Sequence, residues 1–558
     1  MNYDPQQLAA ILSDAANTLV VAGPGSGKSR VLVERVLGLI RSGSTGIVVV
    51  TFTNSAAGEV IQRLKDARRG SLEKENVLHV GTIHAFMLKQ IIEHVDDILY
   101  PNQIAVVDSE QSRAVLDDAI KAQRYRGALR SVKESVARGP LHYFRNAPAA
   151  DSDKLWSKED QVAAEYYRRM REGGMIDYDS ILELGLDVLK RNGCGCRHLL
   201  VDEWQDTGPM DWQIFQAIKA KTRFYVGDPS QAIFGFRHRQ FKGASFAFDP
   251  SSWKTRVLEL NHRSSAAVCE AASRLIAHNT NRTEKKCVSA TGESGVVEFH
   301  TFATELSEIN HVVEWLGSRK EQWNESAVLA RTNWIAERFS RALRDAGVEV
   351  SSRLAPERPA DWRETRDAIA FLANPDSDVL AYRVIERTRG SQAADTLQLE
   401  AAKLFTTINR LTLDIRRTVT SDTIVDRLRG LVLSEDSIRI IEQLLASNET
   451  ITTARDVSLA IATEDTTERG PGVTVTTYHG AKGCEWDTVL LPAFSEGVIP
   501  HLKSNTEHEL EEERRCAFVA LTRARLNVYL SHAESRGVQW KGEAVKHEPS
   551  RFLREIGL

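Results

Sequence analysis

Eight residues constrain this chain more than any others: Ala22–Ser29 reads AGPGSGKS, set between an apolar run and a stretch with helical periodicity. Gly23, Gly25 and Gly27 let the backbone turn successive N–H groups toward one point. A helix opening at Ser29 aims its positive dipole end at the same point. Donors and dipole converging behind a buried strand make a cradle for a polyphosphate. There Lys28 reaches the β- and γ-phosphates and the Ser29 hydroxyl ligates Mg²⁺. Pro24 and Ser26 complete the loop, and Ala22 stands where the strict pattern has glycine. A plain glycine-rich turn is the alternative, and the Lys-Ser pair with both flanks in place argues against it.

The apolar runs around the cradle, Thr18–Ala22 and Ile47–Phe52, read as buried parallel strands joined by a helix over Ser29–Arg41, a βαβ unit. Runs of the same kind follow at His198–Val201, Phe224–Val226, Val328–Ala330, Val473–Thr477 and Thr488–Leu491. Strands alternating with helices predict an α/β fold with doubly wound cores. At 558 residues the chain exceeds what a single core holds. Two stretches show helical periodicity alone, 86–174 and 379–464, and read as helical insertions. The expected division is therefore 1–85 with 175–255 for a first core and 256–378 with 465–558 for a second.

Charge and cysteine usage narrow the class. With 72 Lys and Arg against 76 Asp and Glu, the net charge is −4, so any nucleic-acid site must be a local patch. Cys194, Cys196, Cys269, Cys287, Cys484 and Cys516 are too scattered for a disulfide framework and suit a reducing cytosol. No apolar run has the length of a membrane span, and Met1–Gln7 lacks a signal-peptide pattern. The expectation is a cytoplasmic protein with no membrane contact. Cys194, Cys196 and His198 lack the second pair of ligands that a structural zinc site needs.

HLLVDEWQDT (His198–Thr207) sets Asp202 and Glu203 just past an apolar strand. A carboxylate there holds Mg²⁺ in phosphate-cradle enzymes, which is the role read for Asp202. Glu203 beside it is placed to take a proton from an attacking water. Alone, such a pair reads equally well as a solvated loop or a helix N-terminus; the cradle is what gives it chemistry.

Further segments carry a resemblance to a known family. They are DPQQLAAI (Asp4–Ile11), VTFTNSAAGEV (Val50–Val60), GTIHAF (Gly81–Phe86) and VGDPSQAIFGFR (Val226–Arg237). LELNHRSS (Leu258–Ser265), VLARTN (Val328–Asn333), TTYHGAKGCEWDTVLLP (Thr476–Pro492) and EEERRCAFVALTRAR (Glu511–Arg525) follow in order. Together with the cradle they resemble the UvrD/Rep/PcrA group of superfamily 1 DNA helicases, nearly end to end. The resemblance implies two RecA-like P-loop domains, each interrupted by a helical insertion, with ATP between them. It implies that Gln7 reads adenine, Arg30 stacks on it and Glu485 contacts the ribose. Gln231 would sense the γ-phosphate and attacking water, with Arg263 and Arg523 brought from the second core to the transferring phosphate. Phe52, Asn54, His84, Phe234, Phe236, Arg237 and His479 match DNA-contacting positions.

Aromatic rings with neighbouring cations suit single strands, because every base offers a π-face. Core packing is the alternative for Phe52 and Phe234. Seven cations between Lys121 and Arg145, with Tyr125, Tyr143 and Phe144 among them, read either as a nucleic-acid patch or as a solvated helical face. One departure bears on affinity: His262 stands where the family has a tyrosine against adenine, which predicts weaker nucleotide binding. Little chain follows Arg525, leaving no room for a fused nuclease domain, and the second insertion looks short for the family. Two functions remain open. One is an autonomous 3′→5′ helicase acting on single-stranded and 3′-tailed duplex DNA in repair, recombination or replication. The other is a motor or sensor subunit working with a separate nuclease, for example in anti-phage defence.

Overall fold

The computed structural model describes residues 3–68, 77–95, 100, 104–146, 156–233, 252–280, 282–352, 361–373, 424–426, 434–447, 453–462, 470–537 and 544–558. Two parallel sheets dominate it. The first has six strands in the order Val77–Thr82, Ile47–Thr51, His198–Val201, Thr222–Gly227, Asn17–Ala22 and Lys254–Leu258, every neighbour parallel. Its central strands are valine- and leucine-rich because both faces are covered. Val20, Val49 and Leu200 face the helix Lys28–Arg41, while Leu19, Val48 and Leu199 face the helices Ile83–Glu93 and Tyr178–Asn192.

The second sheet runs Val296–Thr304, Ala524–Gly537, Trp486–Leu491, Ser326–Ala330, Val473–Thr477 and Val350–Ser352, again parallel, with Ala544–Lys546 added antiparallel. Helices Glu507–Leu521 and Ala266–Ala277 close one face and Glu305–Gly317 with Asn333–Asp345 the other. These are two RecA-like α/β cores. Among the described residues no helix is long and apolar enough to cross a membrane.

The helical periodicity of 86–174 hides a short strand. Ala105–Val107 pairs in parallel with Met175–Asp177 at the root of the first insertion. The helix Trp362–Ala373, from the stretch expected for the second core, and Ala454–Ala462, from the second insertion, pack on this small sheet. Val107, Tyr143, Tyr167, Trp362, Phe371 and Val457 then share one apolar cluster. Polar groups close the joint: Arg366 is ion-paired to Asp108 with both side chains buried, and Gln111 Nε2 donates to Asp367 Oδ1 at 2.7 Å. The two insertions thus meet through a common core.

Candidate nucleotide site between the two sheets

The cradle forms where the strand Asn17–Ala22 ends and the helix Lys28–Arg41 begins. Gly25 (φ +64°) and Gly27 (φ +80°) occupy the left-handed region that only glycine enters freely. A Cβ on Gly27 would stand 2.8 Å from Gln7 Nε2, so the missing side chain is what admits Gln7. Ser26 Oγ donates to the Gly23 carbonyl at 2.8 Å and ties the loop. Gln7 is buried and donates to the Ser26 carbonyl at 3.0 Å, while its helix is capped by Asp4. Arg30 lies over the Tyr3 ring at 4.3 Å, and His262 Nε2 is 3.2 Å from Asp4 Oδ2. Tyr3 is a neighbour of Arg30 that no motif singles out.

Past the strand His198–Val201, Glu203 sits at φ 50°, ψ 43°, left-handed for a residue with a Cβ. Such strain persists only where the surroundings fix it. Here Lys28 Nζ lies 3.2 Å from Glu203 and Gln205 Nε2 donates to it at 2.5 Å. Burial opposes the charge on Glu203, but Lys28 and then Lys482 outweigh it and hold its pKa down to about 2. Burial and the neighbouring Glu203 push Asp202 up to about 7. The pair is thus split by environment, with Glu203 the more acidic member.

Hydrogen bonds carry the site onward. Gln205 Oε1 accepts from the Asp228 N–H at 2.9 Å, and Gln231 Nε2 donates to Asp228 Oδ2 at 2.8 Å. Groups from the second sheet's side complete it. Arg523, buried, donates from Nη2 to Gln231 Oε1 at 3.3 Å. Burial and the nearby Arg263 lower the Arg523 pKa to about 10. Lys482 is ion-paired to Asp206 and donates to the Gln231 carbonyl at 2.8 Å. Arg515 Nε donates to the Ala232 carbonyl at 3.0 Å, and Ile233 is buried in the second core's apolar cluster. Arg263 is ion-paired to Glu485, which also accepts from Arg525 at 3.0 Å. The His262 N–H donates to the Gly25 carbonyl at 2.9 Å, so the loop carrying Arg263 rests on the cradle itself.

The structure therefore brings Gln7, the cradle, Arg30, Asp202, Glu203, Gln231, His262, Arg263, Glu485 and Arg523 around one cleft. Sequence reasoning missed Gln205, Asp206, Asp228 and Lys482 as members. All four lie inside the motifs quoted above, which was the available signal.

Of the expected DNA-contacting residues, Phe52 is half-buried just past the strand Ile47–Thr51, and Asn54 opens the helix Asn54–Arg68. His84 stacks on Tyr178, ring centroids 3.5 Å apart at 12°. His479 lies 3.8 Å from Cys516 Sγ, and burial lowers its pKa to about 4, so its ring is neutral. Phe234, Phe236 and Arg237 lie outside the described residues.

On the first insertion the aromatic rings and the cations part company. Tyr143 is buried in the insertion's core, Tyr125 donates to Glu159 at 2.8 Å, and Phe144 lies under Arg171. Apolar packing claims the rings of Tyr143 and Phe144, and the Tyr125 hydroxyl is held by a carboxylate. Lys121, Arg124, Arg126, Arg130, Lys133 and Arg138 do lie exposed.

A phosphate cradle on one parallel sheet, answered by the buried Arg523 from the second core and the half-buried Arg263 beside it, defines a two-core P-loop nucleoside-triphosphatase. Residues 3–245 match the model of the UvrD/REP helicase N-terminal domain, and residues 256–398 and 397–535 match the UvrD-like helicase C-terminal domain. The chain belongs to the UvrD/REP helicase family. It is 24% identical to the ATP-dependent DNA helicase PcrA of Staphylococcus epidermidis, over all of this chain and 86% of that protein. It is 27% identical to the ATP-dependent DNA helicase UvrD1 of Mycobacterium tuberculosis, over 99% of this chain and 85% of that one.

Proposed function

We infer that this chain, an ATP-dependent DNA helicase, moves 3′→5′ along single-stranded DNA and couples each hydrolysis to closure of the cleft between its cores. The observation that carries this reading is the bond from Arg523 to Gln231 across that cleft. A cation that must cross between cores to reach the nucleotide makes hydrolysis depend on their closure.

Lys28, the largest influence lowering the Glu203 pKa, is the group a γ-phosphate would draw away. Glu203 then gains basicity toward the attacking water, while Gln205 keeps it oriented. Arg263 and Arg523 oppose the charge on the transferring phosphoryl group, a role worth on the order of 10³–10⁵ in rate. Gln7, fixed on the cradle, reads adenine between Arg30 and His262, and Glu485 takes the ribose. The Ser29 hydroxyl and the Asp202 carboxylate are hard oxygen donors and fit Mg²⁺. When bound, that ion neutralises charge between the β- and γ-phosphates.

Phe52, Asn54, His84 and His479, with Phe234, Phe236 and Arg237, form the DNA track. Gln231 at the nucleotide stands three residues before Phe234, so one segment links the two ligands.

The test is hydrolysis by the isolated chain without DNA, with single-stranded DNA and with blunt duplex, followed by strand displacement on 3′- and 5′-tailed duplexes. Strong stimulation by single strands alone and displacement from the 3′ tail are expected. Equal stimulation by both DNA forms, or displacement only from the 5′ tail, would overturn the reading.

A further inference from the structure

One cation in the cleft is explained neither by the cradle nor by the two arginines. Lys285 lies on the segment between the helix Ala266–Ala277 and the strand Val288–Ser289. Its ammonium is ion-paired to Asp228, the two side chains only 6% and 0% exposed, and stands 3.5 Å from the Ala22 carbonyl where the cradle begins. Asp228 already has enough partners to cap its own turn, accepting from the Ser230 N–H at 2.9 Å. An ammonium and a carboxylate this deeply buried are tolerated only because each pairs with the other, so the position of one fixes the position of the other.

Asp228 also orients the Gln231 amide. Gln231 Nε2 donates to it at 2.8 Å, and that leaves Gln231 Oε1 facing Arg523 at 3.3 Å. If Asp228 turned away, the amide would lose the acceptor that decides which end is which. The two residues after Lys285 touch the opposite wall of the site. The Lys286 N–H donates to Glu259 at 3.1 Å, and Asn261 Nδ2 donates to Cys287 Sγ at 3.6 Å. Asn261 Oδ1 in turn accepts from the backbone of Arg263 at 2.8 Å and Ser264 at 2.7 Å. Three consecutive residues therefore reach both the Gln231 hub and the loop that carries Arg263.

We propose that Lys285 is a positioning residue for hydrolysis. By pairing with Asp228 it fixes the Gln231 amide, and it does so only while its segment is seated against the cradle. The proposal rests on the ATP-hydrolysing reading above and adds a second cross-site contact that reports closure to Gln231.

Lys285→Met keeps the aliphatic stem and removes the charge. In saturating single-stranded DNA its kcat should fall by about tenfold or more, the size of effect that a misplaced reacting group produces. Its affinity for a fluorescent ATP analogue should stay within about threefold of wild type, since uniform binding is not what is lost. Adding Asp228→Asn removes the orphaned charge while the amide oxygen still accepts from Gln231, so the double variant should recover part of the kcat. The double variant also serves if Lys285→Met alone does not fold. Unchanged kcat per folded molecule, kcat and nucleotide affinity lost together, or no recovery in the double variant would each overturn the proposal. Wild-type hydrolysis without any response to DNA would instead remove the functional reading on which it stands.

Discussion

Lys28 and Glu203 hold each other in this structure, which gives their substitutions different outcomes. Lys28→Ala removes the cation proposed to meet the outer phosphates and leaves Glu203 without its ion partner, 3.2 Å away. ATP turnover in saturating single-stranded DNA should be lost, and a rate within about tenfold of wild type, roughly 1.4 kcal/mol, would contradict the cradle assignment. Glu203→Gln keeps the shape but removes the proposed base. Nucleotide binding should survive while hydrolysis stops, and equilibrium binding of a fluorescent nucleotide separates the two. Residue identities at this site were readable because the chemistry demands particular side chains at fixed offsets. Gln205, Asp206 and Lys482 were harder to read, since each acts through a partner distant in sequence or through a neighbour that only the folded turn supplies.

At the scale of elements, the strand–loop–helix of the cradle depends on glycine at two turns. Gly25→Ala would force a left-handed alanine and set a Cβ 2.5 Å from Asn261 Oδ1 and 2.6 Å from Arg263 Cβ. The loop carrying Arg263 must then lift off the cradle. ATP affinity should fall by at least about tenfold, about 1.4 kcal/mol, in a titration with the fluorescent analogue. Normal affinity would show that this loop does not sit on the cradle in solution.

Central strands were legible as continuous apolar runs, because both their faces are buried. Val296–Thr304 was not: it is an edge strand whose residues are mostly exposed or half-exposed, so no run marks it. The rings of the first insertion stayed open between two readings for a related reason. Composition places Tyr143 and Phe144 among cations, but only the packed helices decide which way each ring turns.

The whole molecule adds couplings between distant segments. Arg523→Ala should leave nucleotide binding intact and lower DNA-stimulated hydrolysis by on the order of 10³ or more, as for other arginines that reach a transferring phosphoryl from a second unit. Loss of binding instead would make Arg523 a structural tie between the cores. The joint between the insertions is a separate matter of stability. Arg366→Met would leave Asp108 as a buried carboxylate without its ion partner, which costs about 3–5 kcal/mol. A clear drop in thermal unfolding temperature is expected, with ATP affinity per folded molecule unchanged. An unaltered melting curve would mean that the two insertions do not share a core in solution.

The amino-acid sequence by itself determined the cradle, the carboxylate pair, the order of the motifs and hence the family, because those features are local: a few residues at fixed spacing make them. Tertiary structure alone decided that Lys285 meets Asp228, that Arg366 meets Asp108 and that the Tyr143 ring is buried in the first insertion. Those partners lie 57 and 258 residues apart. No periodicity spans such a separation; the pairs exist only because burying the apolar faces of two sheets and two insertions brings them together, where a charge left unpaired would be unfavourable.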